Sequence, residues 1–366
     1  MKHPLVALNR RDVLAGLAAA GIVPTFHLAS INHGVQADEG QATYFGWAGY
    51  DDENLWQAYV EQEGAAPEFT FWGDEEEGIA KMRAGFTPDV VFPCNYSIKK
   101  WVDSGMLQPV DVSRLSNWDD IIPALKDVPG STIGGDQYWV PVDWGLTSIL
   151  YRTDLAPEYV DDESWTILWD PKYKSQVAAF DSLVDGVVIA GIVAGLDNPF
   201  DYSTQDALDT IRPLLEDLTA NLRYYSNDYT SMEQGLASGE LVAATTWNES
   251  VVRLKGEGLP VAFMNPKEGA MTWVCGLSIA KDSPYPDKAH ALINAFLDPR
   301  SRAYEMEVFG YGAATQSAFD LVSEDVLAAL GLSKNPQEIL AAGIFQQPIQ
   351  GESDLQSLFE EVKAGL

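Results

Sequence analysis

Residues 42–93 read ATYFGWAGYDDENLWQAYVEQEGAAPEFTFWGDEEEGIAKMRAGFTPDVVFP. Short apolar runs at 42–47, 68–72 and 89–93 alternate with longer periodic stretches at 52–64 and 75–85, the second ended by Gly85. In the first periodic stretch Leu55, Trp56, Tyr59 and Val60 fall on one helical face. The strand, helix, strand, helix, strand order is that of an α/β layer with parallel strands. The acid run Asp74-Glu75-Glu76-Glu77 opens the second helix. There negative charge complements the helix dipole and is expected to face water.

Further apolar runs at 137–142, 147–152, 177–180, 241–246, 261–265 and 271–280 read as strands. Between them 184–196, 204–220 and 231–238 read as helices, and from residue 288 the chain turns mostly helical, at 289–297, 301–309, 323–330 and 355–363. The length of 366 residues suggests two domains. No repeat, low-complexity tract or Pro/Gly/Ser linker separates two halves. The chain is therefore expected to cross between two lobes more than once.

Composition removes whole function classes. Lys and Arg number 23 against 54 Asp and Glu, a net charge of -31, which phosphate backbones repel, so nucleic acid is excluded as a partner. Of the four His, His3, His27 and His33 lie in an N-terminal segment read as an address; only His290 remains for a triad or a zinc site. It sits in an amphipathic helical run and reads as a partly exposed helix residue, and no metal site is expected. Residues 1–37 carry Lys2, Arg10 and Arg11 against one acid, Asp12; an apolar run at 13–23 follows, then Pro24, and Val35-Gln36-Ala37 closes the segment. This is the layout of an export signal of the twin-arginine-like type, cleaved after Ala37, and it points to the periplasm. The apolar run is far shorter than the ~20 residues of a spanning helix. With only Cys94 and Cys275, an exported chain holds at most one intramolecular disulfide; two separate buried thiols are the simpler expectation.

In a doubly wound sheet, ligands sit outside the carboxyl ends of the strands. Those ends here pair aromatics with small polar groups: Trp47 to Tyr50, Cys94-Asn95-Tyr96, Asp143-Trp144-Gly145, Phe180-Asp181-Ser182 and Thr246-Trp247-Asn248, with Trp273 inside a strand. Rings converging with carboxylates hold ammonium groups and methylene chains. Paired acids also suit a secreted hydrolase, but Asp143, Asp181, Asp185 and Glu249 form no motif.

The order Trp47-x-x-Tyr50, Asp89 to Tyr96, Val140 to Gly145, Trp165-x-x-Leu168-Trp169-x-Pro171, Thr246-Trp247-Asn248, Pro266 to Gly269, Trp273 and Gly310-Tyr311-Gly312 resembles the periplasmic spermidine/putrescine-binding proteins of ABC importers. The resemblance implies a type II periplasmic-binding fold. Lobe 1 would take 38–147 and 273–318, and lobe 2 148–272 and 319–366, joined by crossing strands that let the lobes close on a solute. It further implies a non-enzymatic monomer without cofactor, which captures a polyamine or related small cationic amine and delivers it to a membrane permease. A zwitterion, guanidino compound or quaternary ammonium is the alternative ligand.

Carried over position by position, the resemblance puts Trp47, Tyr50, Tyr96, Trp247, Trp273 and Tyr311 around the ligand, with Asp185 as an amine-binding acid, Ser226 in a polar loop and Gln346 as a late polar contact. Ser182 and Cys275 stand where the family has carboxylates, Gly49 where an acid often precedes the tyrosine, and Cys94 where it has a small hydroxyl residue. On that comparison a disulfide near the ligand is also open. Micromolar binding needs about 8 kcal/mol net, and cation–π contacts of about 1–2 kcal/mol each fall short once association costs are met. At least one desolvated carboxylate must help. Asp185 serves one ammonium, and Asp143, ahead of Asp51 and Glu249, is the expected partner for a second.

Overall fold

The computed structural model describes residues 40–366, so the expected export signal at 1–37 lies outside them. Thr43–Gly46, Glu68–Phe71 and Val90–Val91 form the parallel strands of the opening unit, with helices Gln57–Glu63 and Glu75–Arg83 between them. Each element falls within the span its apolar pattern marks. Asp74 starts the second helix: its carboxylate accepts from the Glu77 amide at 2.8 Å, while the Glu77 carboxylate accepts from the Gly73 amide at 2.7 Å. This reciprocal arrangement satisfies two amides that a helix start leaves open.

One hydrogen-bonded path runs through the molecule in the order 68–71, 43–46, 90–91, 271–280, 140–152, 243–247, 177–179 and 224–225. Its centre is the antiparallel pair Val140–Arg152 and Met271–Ala280, in register from Met271 opposite Thr147 to Cys275 opposite Asp143, with a bulge after Cys275. Gly276 sits at that bulge, and a Cβ there would meet the Val140 carbonyl at 2.2 Å, so only glycine fits. The separate strands expected at 137–142 and 147–152 are one strand of 13 residues. Asp143-Trp144-Gly145 is thus mid-strand, because the small Gly145 lets the Trp273 ring cross where a side chain would break the ladder.

Hydrophobic packing divides about this pair. One cluster holds Tyr44, Phe92, Trp101, Trp139, Leu277, Phe296 and Met306. Others hold Ile149, Trp165, Val188, Leu215 and Leu358, and Leu150, Met232 and Leu254. Phe319, Val322 and Leu340 also pack in the first cluster.

Cys94 and Cys275 are joined in a disulfide, which overturns the expectation of separate thiols. The residues face each other across an antiparallel bridge, a proximity that spacing along the chain does not reveal. His290 is buried rather than partly exposed: Nδ1 lies 2.7 Å from the Pro286 carbonyl and Nε2 accepts from the Asp111 amide at 3.2 Å. Both ring nitrogens serve structure.

The disulfide closes a sequence separation of 181 residues and so restricts the unfolded chain strongly. Replacing both cysteines with serine is expected to lower unfolding free energy by about 2–4 kcal/mol, read by denaturant melts with and without reductant. An unchanged midpoint would refute it.

Candidate functional site

A cleft of about 770 Å³ opens between the loops that follow Val90–Val91, Val177–Ala179 and Ala243–Trp247. Trp47, Tyr96, Ser182, Asp185 and Trp247 line it, five of the twelve candidates. Trp247 stacks on Phe180 with centroids 5.0 Å apart, and Trp47 meets Trp72 edge-on at 5.8 Å. The rings are thereby held before any ligand enters.

Asp185 is placed by a short π-helical turn, Leu183–Val187, that Ser182 caps by accepting from the Asp185 amide at 3.3 Å. Gly186 is needed beside it, since a Cβ would strike the Phe180 carbonyl at 2.2 Å. The Asp185 Oδ1 accepts from the Thr147 hydroxyl at 2.7 Å and the Gln346 amide at 2.8 Å. Burial pushes its pKa up, against these donors and the Trp247 indole N–H. Gln346 therefore acts behind Asp185: it is 1 % exposed, and its side-chain oxygen Oε1 has no hydrogen-bond partner among the described residues.

The remaining candidates do not line the cleft. Asp143 is fully buried, accepts from the Tyr50 hydroxyl at 2.6 Å and lies 3.9 Å from the Arg302 guanidinium, which also pairs with Glu305. It cannot be the open second acid that was expected, because the protein's own cation is already beside it. Tyr50 turns into that same cluster. Trp273 and Tyr311 pack edge to face at 4.8 Å, with the Tyr311 hydroxyl bound to Glu249. Glu249 pairs in turn with Arg253. Cys275 is consumed by the disulfide, and Ser226 borders a separate, open groove of about 580 Å³, where its hydroxyl accepts from the Asp228 amide at 2.9 Å. Asp51 is exposed and also absent from the cleft.

Glu75 was missed. The acid run was expected to face water, and Asp74, Glu76 and Glu77 fit their capping and surface roles, but Glu75 is only 6 % exposed and borders the cleft. Its carboxylate accepts from the Cys94 amide at 3.0 Å, the Trp101 indole at 2.7 Å and the Ser97 hydroxyl. Burial raises its pKa to about 7 in spite of these donors. A helix start facing inward distinguishes it from its neighbours; the four identical-looking acids carry no such signal in sequence.

The comparisons identify the family. Residues 68–331 match the model of the bacterial extracellular solute-binding proteins. The chain belongs to that family. It is 25 % identical over 335 residues to the spermidine/putrescine-binding periplasmic protein of Salmonella typhimurium, covering 90 % of this chain and 93 % of the relative. It is 24 % identical to the putrescine/agmatine-binding protein of Pseudomonas aeruginosa, over 88 % of this chain and 91 % of that one. Among solved structures, a putative spermidine/putrescine ABC transporter protein from Listeria monocytogenes superposes with a TM-score of 0.76 at 23 % identity, covering 89 % of this chain and 99 % of that one. The two-lobed periplasmic-binding fold expected from the sequence is thus the fold of this solute-binding protein.

Five carboxylates, the buried Glu75, Asp143 and Glu305 and the half-buried Asp185 and Glu249, have pKa values raised chiefly by desolvation. A carboxylate whose folded pKa lies above its unfolded one contributes stability that is present at low pH and lost as pH rises through that window. Glu75 alone, moving from an ordinary 4.5 to about 7, corresponds to about 3 kcal/mol. Melting temperature is therefore expected to fall between pH 5 and pH 8, and to fall less in Glu75→Gln. A flat wild-type profile over that range would contradict the assignment.

Proposed function

We propose that this solute-binding protein captures a small cationic amine of the polyamine class in its cleft and delivers it to an ABC permease of the cytoplasmic membrane, without chemistry of its own. The observation that carries this is Asp185, a half-buried carboxylate with no cation partner among the described residues, lying in a cleft walled by Trp47, Tyr96 and Trp247. Rings attract the ammonium and pack its methylenes, and the acid fixes its charge. Relatives named for spermidine, putrescine and agmatine binding support the same class. The packing clusters support lobes that close on the solute about the pair Val140–Arg152 and Met271–Ala280, with the first lobe extended past residue 318 to include Phe319 and Leu340. Export by the twin-arginine-like segment and action as a monomer in the periplasm complete the proposal.

A second reading is favoured by one observation. Arg83, Lys99 and Lys100 border the cleft beside its acids, and a zwitterion would meet them with its carboxylate.

Calorimetric titration with 1,4-diaminobutane, spermidine, agmatine and 4-aminobutyrate separates the two. Amines without a carboxylate are expected to bind in the micromolar range or tighter, and Asp185→Asn to weaken them about 10- to 100-fold. Binding of 4-aminobutyrate alone would replace the polyamine class by a zwitterion.

A further inference from the structure

We propose that Asn248 and Glu249, reaching across to Gly310 and Tyr311, form a polar clasp that holds the two lobes together beside Trp247 before any solute enters. The proposal goes beyond solute capture and rests on that reading only for the two lobes that close about the central strand pair; it holds for any class of ligand.

The two bodies meet at Trp247, which lines the cleft and packs against both the first and the third hydrophobic clusters. The chain directly after it begins the helix Glu249–Gly256, whose Val251 and Leu254 belong to the third cluster. Facing that helix start is the turn that follows the helix Pro299–Phe309, flanked by Met306 and Ala313 of the first cluster. Four residues join them. Asn248, 6 % exposed, donates from Nδ2 to the Gly310 carbonyl and accepts at Oδ1 from the Leu146 amide at 3.0 Å. The Tyr311 hydroxyl donates to Glu249 Oε2. Two glycines make room for this approach. A Cβ on Gly145 would lie 2.6 Å from Asn248 Oδ1, and one on Gly310, whose φ is +73°, would lie 3.0 Å from Val252 Cγ2.

Each half of the clasp is held within its own body. Glu249 Oε1 lies 3.5 Å from the Arg253 guanidinium, which pairs in turn with Glu233 at 3.0 Å on the neighbouring helix Tyr229–Ser238. On the other side the Tyr311 ring packs edge-on against Trp273 at 4.8 Å and stacks with Phe309 at 6.2 Å. When the lobes part, the bonds Tyr311 to Glu249 and Asn248 to Gly310 are exchanged for water, while the groups that make them stay oriented for closure. Polar contacts suit such an exchange, because water replaces a broken hydrogen bond at small net cost, whereas exposing apolar faces costs more with every Å².

The same bonds are present whether or not a solute lies behind them. They therefore leave the difference in free energy between empty and filled closed states almost unchanged, and act on the opening that both entry and exit require. The clasp sets how fast solute is exchanged, and the cleft sets which solute is held. This separates the role of Tyr311 from that of a ligand-packing ring, whose loss would lower affinity through release alone.

The test uses the full mature chain and its Tyr311→Phe variant, which keeps the ring on Trp273, with Glu249→Gln as a second variant should the first fold poorly. Small-angle X-ray scattering without solute is expected to give a larger radius of gyration for the variant than for wild type, and excess 1,4-diaminobutane to bring both to the same value. Stopped-flow tryptophan fluorescence with 1,4-diaminobutane is expected to show association and release both accelerated about 3- to 10-fold, the range for one lost hydrogen bond, with Kd changed by less than about threefold. Solute-free scattering equal to that of wild type in the variants that fold overturns the clasp. So does a loss of affinity at an unchanged association rate, which makes Tyr311 a ligand contact instead. If 1,4-diaminobutane fails to bind wild type, amine capture falls, and the solute-free scattering still decides the clasp.

Discussion

The antiparallel pairing of Val140–Arg152 with Met271–Ala280 is the constraint on which the cleft depends. These strands extend through the packing clusters on both sides, and nearly every group at the site is tied to one of them. Thr147 holds Asp185, the Thr272 carbonyl accepts from the Gln346 backbone N–H, Val274 is bracketed by Asn95, and Cys275 anchors Cys94. Glu75 is attached at one remove, through the Cys94 amide and Ser97. A one-residue slip in this pairing would turn each attachment to the opposite face of the sheet. The bulge after Cys275, made possible by Gly276, sets the register in which Cys275 meets Asp143.

That register separates two acid compartments with opposite solutions to the same cost. Behind the strands, Asp143 and Glu305 share Arg302, all three essentially without solvent exposure, and Tyr50 supplies a further donor. Burial drives both acids toward higher pKa while the guanidinium opposes it. In front, Asp185 accepts hydrogen bonds from neutral donors, Thr147 and Gln346, and Glu75 from the Cys94 amide, Ser97 and Trp101, with Lys100 acting on Glu75 from the rim. Neutral donors orient a carboxylate and offset part of its desolvation, but they supply no counter-charge. The front compartment is thus the one that gains from an added cation, and the rear compartment is already served.

The parallel opening unit, the crossing topology and the aromatic lining were legible because each is written in local patterns. Alternating apolar runs marked the strands, and Gly85 marked a helix end. Trp47, Tyr96, Asp185 and Trp247 were legible through the family resemblance. The rest depends on contacts across long separations. Asp143 reads like a strand-end acid until Arg302 arrives from a helix some 160 positions away. Cys94 and Cys275 are neighbours only through the bulged pairing. Glu75 sits in a run of four acids, and only the packing of Trp101 and Ser97 against that helix start singles it out.

The excess of acid, 54 against 23 bases, does not itself choose the ligand. Exposed acids are screened beyond about 8 Å at physiological salt and act mainly on solubility and on the rate at which cations arrive. A carboxylate favours a bound cation when it combines desolvation with an opening to a cleft and with the lack of an internal counter-charge. Asp143 and Glu249 lie beside Arg302 and Arg253, whereas Asp185 borders the cleft with no ion pair among the described residues. The charge pattern around the cleft is therefore set by Arg302 and Arg253, which pair with nearby acids, as much as by the acids left without an ion pair among the described residues.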